Sequence, residues 1–245
     1  MTDMANASAA PADLLMPVST RLAALAVLAA ALLVVIVLPM QSGTYIRIAD
    51  SVLIYIILGL GLNIVVGYAG LLDLGYVAFY AVGAYTYALL ASPQFDLHLP
   101  FLVILPIAVF IGAGAGILLG IPVLRLRGDY LAIVTLGFGE IIRVLINNLD
   151  DVTNGPRGLA RLDRIEIAGF TFSTPLHYFW LLLAAALITV TVVYRLKYSL
   201  LGKAWSAVRE DQDAARGVGI DTTRVKLVAF AVSASIASAA GVFFA

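Results

Sequence analysis

Three polar residues in one apolar stretch are the first candidates for chemistry. Glu140, Arg143 and Asn147 are spaced by three and four positions, so they share one face of a helix. We expect this polar face to look inward, with Glu140 and Arg143 in an ion pair within or between helices, because an unpaired charge in a membrane is costly. The pair suits a structural bridge and, equally, a place beside a substrate path or at a gate.

A second group of candidates interrupts two apolar runs. The stretch 59–75 contains five glycines. The candidates in it are the amide Asn63, the glycines Gly67 and Gly70, and the carboxylate Asp73. We expect a break in the helix here. Broken helices at membrane depth occur where the backbone is shielded by protein or lines a cavity, and transporters build substrate paths from them. The alternative is a short cytoplasmic turn whose glycines let two helices approach closely.

The elements that position these residues are membrane helices. Hydrophobic residues make up 62% of the chain and charged residues 12%, and the mean hydropathy is +1.02, outside the usual range of soluble proteins. The net charge of zero gives no overall field for attracting nucleic acid, and the lack of cysteine excludes disulfides and thiolate metal sites. His98 and His177 are interpreted as ordinary boundary residues at predicted helix starts, and no metal site is predicted. The sequence therefore predicts an all-α integral membrane protein.

Seven apolar runs approach the roughly 20 residues that a helix needs to cross a bilayer. They are residues 22–39, 48–66, 74–91, 99–124, 130–149, 176–194 and 225–245. Residues 1–20 are predicted to be a disordered cytoplasmic tail, and residues 21–245 one transmembrane domain. The last run ends at Ala245 without a polar cap, so we expect this domain to be incomplete at its C-terminus.

The basic residues orient the predicted spans, because cytoplasmic loops are enriched in Lys and Arg. With the N-terminus inside, ten basic residues fall in cytoplasmic segments and four outside, and Arg143 lies within a span. The inside set is Arg21, Arg125, Arg127, Arg195, Lys197, Lys203, Arg209, Arg216, Arg224 and Lys226. The outside set is Arg47, Arg157, Arg161 and Arg164.

The largest polar stretch on the basic side, residues 195–226, is predicted to be a cytoplasmic loop of two short helices joined by a turn. Leu201, Trp205 and Val208 recur at helical spacing, and a second helix follows from about residue 210 until Gly217 and Gly219 end it. A short amphipathic helix of this kind often docks in a groove of a soluble partner. A helix lying on anionic lipid would carry similar charges.

Several of these stretches resemble one family of transporters. Residues 125–143 (RLRGDYLAIVTLGFGEIIR), residues 59–90 and the Asn154-Gly-Pro-Arg-Gly158 segment are similar to LivM-type permeases of branched-chain amino acid ABC importers. Residues 202–220 resemble the cytoplasmic loop of that family, with Asp213-Ala-Ala where the general EAA motif has Glu-Ala-Ala. The resemblance covers residues 48–245.

The resemblance implies a type II-like permease of a bacterial plasma (inner) membrane, with broken helices and an ATPase-coupling helix. The implied coupling residues are Asp213, Ala214, Ala215, Gly219 and Ile220. The implied partners are a second homologous permease, two cytoplasmic ABC ATPases and an extracytoplasmic substrate-binding protein. The shorter side chain of Asp213 and the lack of a proline after Ile220 are departures that would alter the docking contacts in detail.

No ATP-binding Gly-x-x-x-x-Gly-Lys-Ser/Thr loop is present, so we expect the chain to bind no cofactor, the ATP being used by the partner ATPases, and to have no enzyme activity of its own. A urea or short-chain amide permease is the nearest alternative, because related permeases share these motifs. An ion-coupled secondary transporter would place Asp73, Asp129 or Glu140 on its path and need no ATPase, and the EAA-like loop argues against it.

Overall fold

The structure, a computed structural model, describes residues 43–92, 98–123, 129–159, 165–167 and 170–245. The contacts divide the chain into two units, Met1–Ile46 and Arg47–Ala245, and of the first only residues 43–46 are described. Several sequence predictions lie outside the described residues: the tail at 1–20, the span at 22–39, and Arg21, Arg125, Arg127, Arg161, Arg164 and the side chain of Asp129.

Helices account for nearly all of the described residues, which confirms the predicted all-α membrane fold. The long helices are α1 (Gly43–Asn63), α2 (Val77–Leu90), α3 (Phe101–Val123), α4 (Asp129–Asn148), α6 (Pro175–Tyr198) and α9 (Thr222–Phe244), and the shorter ones are α5 (Asp150–Thr153), α7 (Leu200–Glu210) and α8 (Gln212–Gly217). A π-helical turn, Ile64–Tyr68, continues α1, and a 3₁₀ turn spans Gly155–Arg157. Two-residue strands, β1 (Glu166–Ile167) and β2 (Phe170–Thr171), pair antiparallel.

Five described helices are long and apolar enough to cross a membrane: Gly43–Tyr68, Phe101–Val123, Tyr130–Asn148, Pro175–Tyr198 and Thr222–Phe244. The helix α2 has 14 residues and is thus about 21 Å long, which is short of the roughly 30 Å hydrocarbon layer. The predicted complete span at residues 74–91 is therefore wrong. Residues 74–76 of the predicted span precede α2, since the N–H groups of Leu74 and Gly75 bond to the side chains of Thr135 and Asp73.

The helix α9 lies in the interior against α2 and α3, where small residues bring the backbones together. A Cβ atom added to Gly83 of α2 would lie 1.9 Å from the carbonyl oxygen of Ser238, and one added to Gly116 of α3 would lie 2.7 Å from that of Phe230. The hydroxyl of Ser238 donates a hydrogen bond of 2.6 Å to the carbonyl of Ala108 in α3. Small residues and interhelical hydrogen bonds are the usual means of tight packing between membrane helices.

Two buried apolar clusters lie at opposite ends of this helix. One includes Ile64, Phe79, Trp205 and Phe230 near the start of α9, and the other includes Phe243 near its end. In the second cluster the rings of Phe101 and Phe243 are 5.6 Å apart. These clusters connect α9 to both the N-terminal half of the unit and the polar loop that precedes α9.

Candidate functional site

The polar loop predicted at residues 195–226 folds as the expected pair of short helices, α7 and α8. It is bounded more narrowly than expected, because α6 continues to Tyr198 and α9 already begins at Thr222. Asp211 stands between α7 and α8, and its Oδ1 accepts hydrogen bonds from the backbone N–H groups of Asp213 (2.8 Å) and Ala214 (3.0 Å). This is N-capping, and the two donors hold the pKa of the Asp211 carboxyl below its ordinary value.

The other end of α8 is closed by a glycine in the left-handed region. Gly219 has a φ of 88°, and its N–H donates to the carbonyl of Arg216 while the N–H of Ile220 donates to that of Ala215, both at 3.0 Å. This pair of bonds is the Schellman motif, which requires a residue with positive φ at this position. Both ends of a six-residue helix are therefore fixed by its own sequence.

The predicted coupling residues divide between an exposed tip and a buried support. Asp213 and Ala214 are exposed, and Asp213 lies 3.6 Å from Arg216 in an ion pair. Ala215 is only 3% exposed and Ile220 is half-buried. Val218, which sequence analysis did not single out, is 79% exposed. We call the exposed residues Asp213, Ala214, Arg216 and Val218 the docking tip.

The helices α7 and α8 are joined to the first turns of α9 by three side-chain hydrogen bonds, one of them from Arg216 of the docking tip. The fully buried Trp205 donates from Nε1 to the carbonyl of Val225 (2.9 Å), and Arg216 donates from Nε to Oγ1 of Thr222 (3.0 Å). Lys226, predicted only as a cytoplasmic charge, is 6% exposed and donates from Nζ to Oε1 of Gln212 (2.8 Å). The two loop helices and the start of α9 are therefore joined by side-chain hydrogen bonds as well as by the chain itself.

A fourth link joins the loop to the π-helical turn after α1. The Nη1 atom of Arg209 donates to the carbonyl oxygen of Gly67. The stem of Arg209 lies against Gly70, where an added Cβ would be 2.7 Å from Arg209 Cγ. Gly67 in turn lies against the side chain of Asn63. The glycines at 67 and 70 thus make room for two polar side chains, and π-helical turns are frequent at functional sites.

Residues 69–76 form the predicted break, and they reach well into the bundle. Leu74 donates its N–H to Oγ1 of Thr135 (3.0 Å), and Gly75 lies against the α4 backbone near Thr135 and Gly139, about 9 to 15 Å along that helix. Asp73 is 5% exposed; its Oδ1 accepts from the N–H of Gly75 (3.0 Å), while Oδ2 has no hydrogen-bond partner in the described part of the chain. Buried polar atoms without partners are uncommon in folded proteins.

Glu140 and Arg143 form the predicted pair within α4. Arg143 donates from Nε to Oε2 of Glu140 (2.9 Å) and from Nη2 to Oε1 (2.5 Å). The expectation that this face looks inward is wrong for the single chain, since the two side chains are 57% and 64% exposed. Periodicity established that the residues share a face, and it carried no information on which neighbour that face would meet.

Comparison with known proteins places the chain in a family. Residues 44–245 match the family described as branched-chain amino acid transport system / permease component. The high-affinity branched-chain amino acid transport system permease proteins LivM of Salmonella typhimurium and Escherichia coli are each 47% identical over 229 residues, covering 84% of this chain and 53% of theirs. A probable branched-chain amino acid transport permease protein LivM of Methanocaldococcus jannaschii is 24% identical over 170 residues, 67% of this chain and 47% of its own.

The chain spans about half the length of the curated relatives it matches. No solved structure matches it. Five described helices long and apolar enough to cross a membrane, a helix broken at residues 69–76 and a capped loop helix agree with what the resemblance implied for the fold. The family match covers all of these elements, and it follows that the chain belongs to the branched-chain amino acid transport system / permease component family.

Proposed function

We propose that this chain is a transmembrane permease subunit of an ATP-driven ABC importer for branched-chain amino acids. The observation that carries the proposal is the docking tip on α8, held by Asp211 at one end and Gly219 at the other. A rigid, exposed helix tip that joins a membrane helix through side-chain bonds suits an element that receives force from a soluble partner. The names of the bacterial relatives support the substrate class.

In this proposal Asp213, Ala214, Ala215, Gly219 and Ile220 form the ATPase-coupling element. Asp213 and Ala214 contact the ATPase, with Val218 as an additional apolar contact. Ala215 and Ile220 pack beneath them, and Gly219 permits the turn. Movement of the tip passes through Trp205, Arg216 and Lys226 to α9, and through Arg209 to the π-helical turn.

The proposed assembly contains this permease, a second homologous permease, two cytoplasmic ABC ATPases and an extracytoplasmic substrate-binding protein. ATP is bound and hydrolysed by the ATPases, and this chain contributes no ATP site or catalysis of its own. The assembly lies in the bacterial plasma (inner) membrane with the N-terminus and residues 195–226 in the cytoplasm. The domain division proposed for the chain assigns residues 21–245 to one permease domain, which follows the N-terminal segment 1–20.

Residues around the broken helix are proposed to lie on the translocation path or at its gate. Asn63, Gly67 and Gly70 stand where the loop meets the π-helical turn, and Asp73 lies deeper, beside Gly75 and α4. Irregular backbone at membrane depth is tolerated where it is enclosed by protein or lines a cavity. Alternating access would then involve movement of residues 69–76 relative to α4.

The test is ATP-dependent uptake of labelled leucine and of labelled urea into vesicles that contain the assembled transporter. Wild type is compared with a double variant, Asp213→Lys with Gly219→Asp, which reverses the charge of the tip and places a side chain at a φ of 88°. Leucine uptake that needs ATP and collapses in the variant supports the proposal. Lys203→Glu, an exposed charge change on α7 away from the tip, is the matched control and should transport normally.

The other outcomes are distinct. Urea uptake without leucine uptake would keep the ATP-driven mechanism and replace the substrate. Uptake driven by an ion gradient without ATP would contradict the proposal, as would a double variant that transports at the wild-type rate. Co-purification of the membrane subunits shows that a loss of uptake is not a loss of assembly.

A further inference from the structure

The face of α4 that carries Glu140 and Arg143 borders a groove on the surface of the single chain. The groove has a volume of about 400 Å³ and lies between α2 and α4, with Leu74 and Gly75 of the broken segment also in its wall. Small-molecule sites have volumes of about 300 to 1,000 Å³. Its lining is mainly aliphatic, with Ala81, Leu136 and Ile142 among the residues that form it.

The depth of the ion pair determines what this face can meet. Glu140 follows the start of the spanning segment Tyr130–Asn148 by ten residues, which is about 15 Å along the helix axis and close to its midpoint. A charge that faces hydrocarbon at that depth is strongly disfavoured, and charged groups within membranes face a bundle interior or a water-filled cavity. In the assembled transporter this exposed pair therefore faces protein or the substrate path.

The irregular backbone at the groove points to the path. Leu74 and Gly75 line it, and this segment lies beside the middle of α4. Non-helical backbone at membrane depth is found where it is buried in protein or lines a water-filled cavity. A broken segment and an exposed ion pair, which are separate in sequence, thus meet at one groove.

The chemistry of the groove matches one class of ligand. It offers a carboxylate and a guanidinium side by side, next to an aliphatic wall. A zwitterionic amino acid with an aliphatic side chain presents an ammonium, a carboxylate and an apolar branch. Arginine binds carboxylates through two parallel hydrogen bonds, as Arg143 now binds Glu140. A ligand of this class could exchange partners with the pair, so that neither charge is left alone.

We propose that this groove, the α2–α4 groove, is a subsite for the zwitterionic aliphatic amino acid on its way through the membrane, with Glu140 receiving the ammonium and Arg143 the carboxylate. This inference rests on the proposed import function and adds a location and a polarity to it. The pair is closed on itself in the empty subsite and opens when the amino acid arrives. Ile142, Leu136 and Ala81 contact the aliphatic side chain.

The decisive variant exchanges the two charges, Glu140→Arg with Arg143→Glu. The exchange preserves an i, i+3 ion pair, so a merely structural bridge would tolerate it. A subsite with fixed polarity would not, since each charge would then repel the ligand group it is meant to bind. We expect ATP-dependent leucine uptake by the assembled transporter to fall by about 10- to 100-fold, as expected for loss of charged hydrogen bonds, while ATP hydrolysis stimulated by the binding protein persists.

A second arm examines the aliphatic wall. Ala81→Leu narrows the groove and should lower the ratio of leucine to valine uptake about fourfold, the equivalent of one methylene group. Ile142→Ala, in the groove, should change the same ratio, whereas the matched control Ile141→Ala, on the next position of α4 and outside the groove, should not. A general folding defect would slow both substrates equally and leave the ratio unchanged.

Failure of this inference is distinguishable from failure of the import function. If the wild type takes up leucine and the variant with exchanged charges does so at the same rate, the subsite is wrong and the import function still holds. An unchanged leucine to valine ratio in both Ala81→Leu and Ile142→Ala would also overturn it. Absence of ATP-dependent leucine uptake in wild type would instead remove the proposed function itself.

Discussion

The helices α9 and α4 are both apolar enough to span a membrane, yet they differ in how the chain surrounds them. In its most apolar stretch, 56% of α9 is buried inside the chain, against 11% for α4. Small residues bring α9 against the backbones of α2 and α3, whereas α4 exposes a charged pair and large apolar side chains such as Ile133. The difference separates an internal structural helix from one that the described part of the chain leaves largely uncovered.

The largest expected effect concerns the close approach of α9 to α3. Gly116→Ala would place a Cβ 2.7 Å from the carbonyl oxygen of Phe230 and 2.8 Å from Cβ of Ala234, so the helices must move apart. We expect a loss of about 1 to 3 kcal/mol in the free energy of unfolding. The measurement is thermal or denaturant unfolding of the purified permease in detergent.

Two glycines provide controls for that substitution. A Cβ added to Gly114 of α3 or Gly137 of α4 would contact no atom beyond the backbone of its own helix within 4 Å in the described part of the chain. Alanine at either position should leave stability unchanged or raise it, because alanine favours helix by up to about 1 kcal/mol over glycine. If Gly116→Ala, Gly114→Ala and Gly137→Ala all lowered the free energy of unfolding equally, the close approach of α9 to α3 would not be the cause.

A smaller effect is expected where the loop turns into α9. Gly219→Ala forces a side chain into a φ of 88°, with a cost of about 1 to 2 kcal/mol. Gly217→Ala, two positions earlier within α8, has open space around its Cβ and is the matched control. The unfolding free energies of the two variants are compared; a tolerated Gly219→Ala would show that the Schellman turn does not fix α8.

Arg209 tests the second connection of the loop, which bypasses α9. Arg209→Ala removes the hydrogen bond to the carbonyl of Gly67. We expect ATP hydrolysis to continue while leucine uptake per ATP falls about threefold or more, equivalent to about 0.6 kcal/mol of coupling. Lys203→Ala removes another exposed basic side chain from α7 and should leave this ratio unchanged. An unaltered ratio in Arg209→Ala would show that its hydrogen bond to Gly67 does not contribute to coupling.

The smallest effect is a pH dependence of the cap on α8. Since hydrogen bonds lower the pKa of Asp211 in the folded state, its stabilising contribution is present above the unfolded pKa of about 3.9 and is lost as pH falls through the lower folded value. Asp211→Asn retains a capping side chain and should remove this dependence. Unfolding measured from neutral to acid pH in both proteins checks the difference; identical pH profiles would argue against the capping role.

The sequence was most informative where a signal is local. The pair of loop helices, the break around Gly70 and the pairing of Glu140 with Arg143 all follow from spacing within about ten residues, and the structure has them. The outcome differed where distant parts of the chain meet. Lys226 was predicted as a plain cytoplasmic charge. It is buried in the structure, where its ammonium group donates a hydrogen bond to Gln212, a residue 14 positions earlier in the chain.

The same reason accounts for two wrong predictions. The predicted span at residues 74–91 begins too early, because hydropathy could not show that Leu74 is held outside helical geometry by its hydrogen bond to Thr135 of α4. The sequence also could not show whether the face with Glu140 and Arg143 points inward. Periodicity shows which residues share a face of one helix, whereas the neighbouring helices decide where that face points.

The length of α9 has a mechanical consequence for the links at its first turns. With 23 residues the helix is about 35 Å long, and its contacts with α2 and α3 are close enough to oppose bending or sliding. A stiff helix of that length acts as a lever arm. A tilt of about 10° at Thr222 displaces the region of Phe243 by about 6 Å, simply from the length of the helix. Because α9 packs so closely on α2 and α3, a tilt of this size would have to carry these two helices with it.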